Sequence, residues 1–315
     1  MNLLIAQAAD ILKSGGLVAF PTETVYGLGA DATDPTAVAK IYEAKGRPSF
    51  NPLISHVSTL QDAFALGVFN IYAKRLAEAF WPGPMTLVVP AFENCATCEL
   101  ARAGLNTVAI RVPSHPMAQQ LLQAFGKPIV APSANRSGHI SPTLAAHVRE
   151  DIGDRVNLIL EGGSTEFGLE SSIFFCAEQD VTMLRSGSIT RKMAENVLGL
   201  TIQDGGQSKS IIAPGQMASH YAPNAGMRLD ATHPNPDEAY LAFGSLSPVN
   251  AIAVENLSQN ADLTEAAANL YAMLRRLDKS GAKTIAVSPI PSYGLGEAIR
   301  DRLARAAAPR FKSIP

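Results

Sequence analysis

The chain has 315 residues, with 26 Lys plus Arg against 28 Asp plus Glu, a formal net charge of −2 and 47% hydrophobic residues. This length exceeds that of a usual single domain, so the sequence predicts two domains and a sizeable core. The small net charge excludes a broad basic footprint for nucleic-acid backbones, and no apolar run approaches the roughly 20 residues of a membrane helix. Three cysteines fit a reducing compartment better than a disulfide framework. We therefore expect a cytoplasmic globular protein without a membrane partner.

Short β-rich runs alternate with helical patterns over residues 1–202, which is typical of an α/β domain. An amphipathic N-terminal helix precedes the first strand and lacks the basic leader of a signal peptide. Predicted strands cover residues 16–22, 52–57, 85–91, 107–113, 128–134, 156–163, 169–176 and 181–187. Predicted helices cover residues 35–46, 71–81, 116–126 and 192–199.

Residues 203–224 are predicted to be a linker, because Gly, Ser, Gln and Pro fill the first part without a sustained period. The second part, PGQMASHYAP, adds two prolines, His220 and Tyr221, and a passive tether needs no aromatic side chain. We therefore expect a lid over a ligand, with packing between domains as the alternative. Residues 225–315 carry a smaller α/β pattern and are predicted to form a Rossmann-like domain.

The segment KGRPSFNPL, residues 45–53, is predicted to be an exposed loop that presents Lys45 and Arg47, because Gly46 and two prolines interrupt any helix. Two fixed cations near the amide of Asn51 suit triphosphate chemistry, in which negative charge must be neutralised. The alternative is a solvated basic loop. Neither the P-loop motif nor the dinucleotide-binding glycine motif is present.

An arginine, Arg111, lies within the predicted apolar strand 107–113, on the same face as Thr107. Such a charge is costly to bury unless it has a partner. Two interpretations remain open, a structural salt bridge and a two-point contact between the guanidinium and a ligand carboxylate.

Two further strand ends open into small polar residues, at residues 20–32 and 130–143. In the first, threonines and glycines let a ligand approach the backbone closely. In the second, hydroxyl and amide groups can donate to phosphate or ribose oxygens. Each segment alone is also compatible with a polar turn. Because ligands of open α/β sheets collect at strand ends, the segments together predict a binding site.

The joint arrangement of these segments resembles the YrdC/Sua5 family of threonylcarbamoyl-AMP synthases. The resemblance covers nearly the whole chain and rests on PTETVYGLGADA, the Lys-x-Arg of KGRPSFNPL, TVAIRVP, the Ser-x-Asn of APSANRSG, APGQMASHYAP and GLGEAIRDRLARAA. It implies a YrdC-like twisted mixed α/β sheet with helices around a concave site, followed by the smaller α/β domain of the two-domain form.

The resemblance also implies a nucleotidyltransferase that joins L-threonine, bicarbonate or CO2, and ATP into threonylcarbamoyl-AMP and pyrophosphate. The product would pass to the tRNA threonylcarbamoyl transferase machinery for N6-threonylcarbamoyladenosine, without stable tRNA binding by this chain. Mg2+ is expected to bridge the phosphates of ATP without a carboxylate cage. Cys95 and Cys98 have the spacing of half a zinc site, but nothing completes it, so no protein metal site is predicted.

Carried over position by position, the resemblance assigns neutralisation of charge in catalysis to Lys45 and Arg47. It assigns ATP binding to Lys45, Arg47, Asn51, Thr107, Ser133, Asn135, Ser141, Arg185 and Tyr221. It assigns threonine binding to Thr24, His56, Arg111, Ala131, and Ser171 or Ser172. The sequence ESSI departs from the expected Ser-Thr pair, which leaves open which serine reaches threonine.

Two other functions compete with this one. A module of the same fold could hold double-stranded RNA in a basic concavity, but the net charge argues against it because such binding needs many phosphate contacts. Carbamoyl transfer from carbamoyl phosphate, as in the related hydrogenase-maturation domain, is disfavoured because the accompanying zinc-finger and acylphosphatase modules are absent from the sequence.

Overall fold

The computed structural model describes residues 3–177, 180–205, 213–215 and 219–309, and within them the chain forms two sheets flanked by helices. The strands of the first sheet are β1 (Val18–Phe20), β2 (Gly27–Asp31), β3 (Ile54–His56), β4 (Met85–Pro90), β5 (Thr107–Arg111), β6 (Ile129–Val130), β7 (Leu158–Ile159), β8 (Ser172–Ala177), β9 (Asp180–Arg185) and β10 (Gln203–Asp204). The strands of the second sheet are β11 (Gly226–Arg228), β12 (Ala239–Ala242), β13 (Ala253–Asn256) and β14 (Thr284–Val287).

The helices described are α1 (Leu3–Lys13), α2 (Pro35–Lys45), α3 (Leu60–Phe64), α4 (Ile71–Phe80), α5 (Pro116–Phe125), α6 (Ala145–Ile152), α7 (Arg191–Leu198), α8 (Leu263–Asp278), α9 (Leu295–Ala307) and a short 3-10 helix, Gly153–Arg155.

The first sheet is mixed, with the order β10-β9-β8-β4-β5-β3-β6-β2-β1-β7. Strands β3 and β5 are parallel, as are β4 and β8, whereas β4 pairs with β5 and β8 with β9 in antiparallel fashion. This confirms the expected mixed α/β fold. Strand β10 continues the sheet into the predicted linker, of which residues 206–212 and 216–218 lie outside the described residues.

The glycine-rich stretch after the first strand forms strand β2. It pairs with β1 as an antiparallel hairpin. A Cβ atom at Gly29 would lie 2.9 Å from the ring of Phe20 and 2.9 Å from the side chain of Ile129. Glycine is therefore required there by close packing within the sheet.

Helix α2 ends at Lys45, the first residue of the cationic segment. Asp34 caps its first turn by accepting a hydrogen bond from the amide of Thr36, and Pro35 fits the first helical position. Gly46 ends it with a left-handed φ of 59°. Lys45 is thus the last residue of a helix, and Arg47 follows the turn.

The second sheet is entirely parallel, in the order β11-β14-β12-β13, and with α8 and α9 forms the expected smaller Rossmann-like domain. It packs against the first domain through one apolar cluster. Val25, Ile140 and Leu169 of the first domain join Leu270 and Tyr271 of α8 in that cluster. Among the described residues no helix is long and apolar enough to cross a membrane.

Candidate active site

A cavity opens where several strands of the first sheet end, and it brings together most of the predicted residues. It is lined by Thr22, Thr24, Val25, Gly27, Arg47, Ile54, His56, Arg111, Ala131, Pro132, Ser133, Glu170, Ser171, Arg185, Pro214, Gly215, His220 and Tyr221. We call this space the central cavity.

Four residues of the predicted linker form one wall of the central cavity, and we call them the linker wall: Pro214, Gly215, His220 and Tyr221. The wall is attached to the first domain, because Nη1 of Arg185 donates to the carbonyl oxygen of Pro214 at 3.2 Å. The cavity measures about 50 Å³, whereas ligand pockets usually measure roughly 300–1,000 Å³. A ligand the size of a nucleotide does not fit the space that the described side chains leave in this arrangement.

Two buried guanidinium groups give the central cavity its positive charge. Arg47 is 8% exposed and donates to the carbonyl oxygens of Asn51 and Pro52. Arg185 is 7% exposed and donates to the carbonyl and hydroxyl oxygens of Ser171. Burial lowers the pKa of Arg47 to about 10 and lowers that of Arg185 as well. These hydrogen-bond partners are all neutral oxygens, and the carboxylate of Glu170 acts on Arg185 as a nearby charge.

Lys45 does not lie on an exposed loop, so that prediction was wrong. Its side chain is 4% exposed, and Nζ donates to the carbonyl oxygens of Ser133, at 2.6 Å, and Asn135. Burial lowers the pKa of Lys45 well below its usual value, and the nearby charge of Arg47 adds to the effect. Lys45 thus holds the Ser133–Asn135 segment in place and lies outside the residues that line the central cavity.

Two threonines that line the central cavity form a directed hydrogen-bond chain. The hydroxyl of Thr22 donates to the carbonyl oxygen of Val25 at 2.7 Å and lies 2.7 Å from the hydroxyl of Thr24. Because Thr22 has a single hydroxyl hydrogen, Thr24 must be the donor in that pair. The remaining lone pairs of Thr24 can accept a hydrogen bond from an amine or hydroxyl of a ligand.

Arg111 forms a structural salt bridge, the first of the two interpretations that the sequence left open, and it also faces the central cavity. Its Nη2 donates to Oε1 of Glu23 at 2.7 Å, and both side chains are buried, yet Arg111 also lines the central cavity. Burial would raise the pKa of Glu23, but the charge and hydrogen bond of Arg111 outweigh it, so that this pKa is lowered. The amides of Ser114 and His115 also donate to Glu23. Glu23 therefore fixes the orientation of the arginine.

Two buried histidines line the central cavity in their neutral form. Burial lowers the pKa of His56 to about 3 and that of His220 to about 3. Nδ1 of His56 lies 3.0 Å from the carbonyl oxygen of Ile54, which can only accept. In the neutral ring the proton is thus on Nδ1, and Nε2 is an acceptor.

The structure separates the two candidate serines. Ser171 lines the central cavity, 2.7 Å from the hydroxyl of Thr86. Ser172 exchanges hydrogen bonds with the backbone of Ile189, donating at 2.7 Å and accepting at 3.0 Å. The prediction that either serine reaches threonine therefore reduces to Ser171, because the hydroxyl of Ser172 is already committed to the backbone.

Four further predicted residues lie outside the central cavity. Ser141 donates to Glu170 at 2.5 Å, and the amide of Asn135 donates to the carbonyl oxygens of Arg136 and His139. Asn51 is fully buried behind Arg47, to which its carbonyl oxygen is hydrogen-bonded. Thr107 lies four residues before Arg111 on β5, about 13 Å away along the strand. The structure does not bring these four side chains to the lining.

Sequence reasoning missed Glu170, the one carboxylate among the described lining residues. Its oxygens accept from Ser141, from the hydroxyl of Tyr271 at 2.9 and 3.1 Å, and from Nε of Arg302 at 2.9 Å. Burial would raise the pKa of Glu170, but the charges of Arg302 and Arg185 lower it to about 2. The signal was present in ESSI, where only the serines were considered.

Family models and relatives cover both domains. Residues 10–187 match the family model Sua5_yciO_yrdC, described as telomere recombination, and residues 189–308 match the model described as threonylcarbamoyl-AMP synthase, C-terminal domain. The threonylcarbamoyl-AMP synthase of Bacillus subtilis is 41% identical, over 97% of this chain and 93% of its own length. A shorter relative, a putative threonylcarbamoyl-AMP synthase of Mycobacterium tuberculosis, is 37% identical over 62% of this chain and 89% of its own.

The fold similarity extends across the whole molecule as well. The crystal structure of Pyrococcus abyssi Sua5 in complex with L-threonine superposes with a TM-score of 0.88 at 36% identity, and covers 96% of this chain and 94% of its own. These findings confirm the resemblance seen in the motifs. The chain belongs to the Sua5/YrdC family of threonylcarbamoyl-AMP synthases, in its two-domain form.

Proposed function

We propose that this protein is an L-threonylcarbamoyladenylate synthase, a cytoplasmic nucleotidyltransferase that converts L-threonine, bicarbonate or CO2, and ATP into threonylcarbamoyl-AMP and pyrophosphate. One observation carries the proposal: the central cavity has two buried guanidiniums with neutral partners, Arg47 and Arg185, and a third guanidinium, Arg111, oriented by Glu23. The related synthases and the threonine complex of P. abyssi Sua5 support the choice of substrates.

Arg111, Thr24 and Ser171 form the subsite proposed for threonine. A planar guanidinium suits the two oxygens of a carboxylate. The hydroxyl oxygen of Thr24 can accept a hydrogen bond from the amine of threonine. Ala131 leaves room beside them. His56 adds a neutral ring, so it brings no second positive charge that would repel an ammonium group.

Arg47, Arg185 and Ser133 form the subsite proposed for ATP, with the linker wall above it. The uncharged threonine amine captures CO2 and releases one proton to water, and an oxygen of the resulting carbamate attacks the α-phosphorus while the bond to pyrophosphate breaks. The chain needs no covalent intermediate for this step, only positioning and neutralisation of phosphate charge.

Mg2+ is proposed to arrive with ATP and to be held by phosphate oxygens, where it would add positive charge. Glu170 does not fit a role as its ligand, because both carboxylate oxygens already accept hydrogen bonds from Tyr271 and Arg302. Hand-over of the product to a tRNA threonylcarbamoyl transferase system follows from the same proposal, without stable tRNA binding by this chain.

Exchange of labelled pyrophosphate into ATP tests the proposal. We expect exchange that requires both L-threonine and bicarbonate, and formation of threonylcarbamoyl-AMP on a mass spectrum. Arg47→Met should abolish exchange, whereas Arg149→Met, which removes a half-exposed guanidinium outside the central cavity, should not. Exchange that is independent of threonine, or equal in the two variants, would refute the assignment.

A further inference from the structure

One arginine of the second domain lies behind the lining of the central cavity, in contact with two of the lining residues, Glu170 and Tyr221. Arg302 lies on α9 and is 1% exposed, which makes it the bulkiest of the fully buried side chains described. Its Nε donates to Glu170 at 2.9 Å, and its Nη2 donates to the carbonyl oxygen of Ser186 at 2.9 Å. Asp301 accepts from Nη1 at 2.6 Å. The planar fork thus contacts both segments of the first domain that carry Glu170 and Arg185.

The same guanidinium also contacts the linker wall. Its central carbon lies 5.2 Å from the ring centroid of Tyr221, within the range of a cation–π interaction. The ring of Tyr221 also stacks on that of Tyr271, with the two ring centroids 5.9 Å apart. Tyr221 itself has a φ of +63°, a conformation that a tyrosine adopts only when its surroundings impose it. Arg302 and Tyr271 supply those surroundings.

Glu170 is the point at which these contacts converge. It accepts from Arg302 and Tyr271 of the second domain and from Ser141 of the first. Without the two partners from the second domain, Glu170 would be a buried carboxylate next to Arg185, free to pair with that arginine. An ion pair there would consume a charge that the proposed ATP subsite needs.

We infer that Arg302 is a positioning residue for the nucleotide half of the site: it occupies Glu170, orients the segment after Arg185, and holds Tyr221 in the linker wall. This inference rests on the proposed function. It gives the second domain a role in positioning the active site, through the motif GLGEAIRDRLARAA.

The test uses the full chain and four variants. Arg302→Lys keeps the positive charge but loses the planar guanidinium. The double variant Arg302→Met/Glu170→Gln removes both charges, so that neither is left buried without its partner. Arg300→Lys is the matched control, because Arg300 lies on the same helix but pairs with Asp230 at the surface. The Michaelis constants for ATP and threonine are measured by threonine-dependent pyrophosphate release, together with the melting temperature.

We expect Arg302→Lys to raise the KM for ATP by about tenfold, since loss of one hydrogen bond to a charged group corresponds to at least that factor. The KM for threonine and the behaviour of Arg300→Lys should stay near the wild-type values. The double variant should have a melting temperature close to that of the wild type, but its KM for ATP should stay above the wild-type value. Recovery of both would show that the ion pair is only structural, and would overturn the inference.

Measurements on the wild-type protein distinguish a failure of the positioning role from a failure of the proposed function. If the wild type shows no threonine-dependent reaction, the proposed function fails. If it reacts and Arg302→Lys has an unchanged KM for ATP, the positioning role alone fails. Glu170→Gln alone serves as the reference for the double variant, because Glu170 lines the central cavity.

Discussion

The guanidinium of Arg111 contacts a buried carboxylate on one side and the central cavity on the other. Arg111→Lys should therefore raise the KM for threonine by about tenfold or more, because an ammonium group cannot keep the contact with Glu23 and also bind a carboxylate at two points. The KM for ATP should change much less. Steady-state kinetics with each substrate varied in turn measure the two effects.

The control for this variant is Arg149→Lys, at a half-exposed arginine that pairs with Glu161 away from the cavity. A selective rise in the KM for ATP in Arg111→Lys would mean that the strand arginine binds phosphate instead of the amino acid.

The adjacent serines are expected to differ in their effect on the kinetic constants. Ser172→Ala leaves the backbone groups of Ile189 without their partner, so the free energy of unfolding should fall by about 1–3 kcal/mol. Its kinetic constants should remain near normal. Ser171→Ala should also lower the melting temperature, because the hydroxyl of Thr86 and Nη2 of Arg185 lose a partner, but it should in addition lower kcat/KM for threonine. Thermal unfolding and steady-state kinetics of both variants decide the assignment, and a kinetic loss confined to Ser172→Ala would assign the substrate contact to Ser172.

At the scale of elements, Gly215 determines how closely the linker wall approaches the first domain. Its φ is +87°, and a Cβ atom would lie 2.7 Å from the hydroxyl of Tyr221 and 3.0 Å from Cδ of Arg185. Gly215→Ala should therefore displace the linker wall and raise the KM for ATP. Gly281→Ala is the matched control, since Gly281 has a φ of +85° and nothing within 4 Å of an added Cβ.

Both alanine variants carry the backbone cost of a left-handed residue, about 1 kcal/mol or more, so only the added contact distinguishes them. Equal effects of the two variants on the KM for ATP would show that Gly215 is needed for its backbone conformation alone.

Tyr221 also shows why the two roles predicted for the linker do not exclude each other. The side chain lines the central cavity and at the same time stacks on Tyr271 of the second domain. Tyr221→Ala should consequently lower both the melting temperature and the yield of product per ATP consumed. A change in melting temperature cannot by itself identify a structural linker here.

Sequence patterns predicted the strands well where apolar runs end in polar residues, as at His56 and Arg111, because burial of the strand and exposure of its end leave a local signal. They failed where distant contacts decide. Lys45 is buried by carbonyl oxygens of Ser133 and Asn135, about ninety positions further along the chain. Glu170 binds partners 101 and 132 positions away, Tyr271 and Arg302, which no local pattern encodes.

At the scale of the whole molecule, the neutral histidines make stability depend on pH. His56 and His220 have a pKa of about 3 in the folded chain, chiefly because burial disfavours the charged ring, against about 6.5 when unfolded. Their stabilising contribution is complete above pH 6.5, and it is lost as the pH falls from there towards 3, since only the unfolded chain binds the protons.

Each histidine should thus lower the free energy of unfolding by about 2 kcal/mol between pH 7 and pH 5. Denaturant unfolding at the two pH values measures the loss, which should be smaller by about 2 kcal/mol in His220→Gln than in the wild type. A variant that loses as much as the wild type would show that His220 is protonated in the folded chain.

The contact between Glu170 and Arg302 joins two domains that do not always occur together, since the relative from M. tuberculosis aligns with only 62% of this chain over 89% of its own length. A chain without α9 would have to bury such a carboxylate without its cation, which costs several kcal/mol. Aligned sequences of shorter relatives should therefore lack a glutamate at this position or supply a basic residue of their own beside it. A retained glutamate with no new cation would contradict this expectation. If it holds, the acidic residue and the arginine were gained or lost together during the evolution of the family, and position 170 distinguishes its two architectures even in a fragment of sequence.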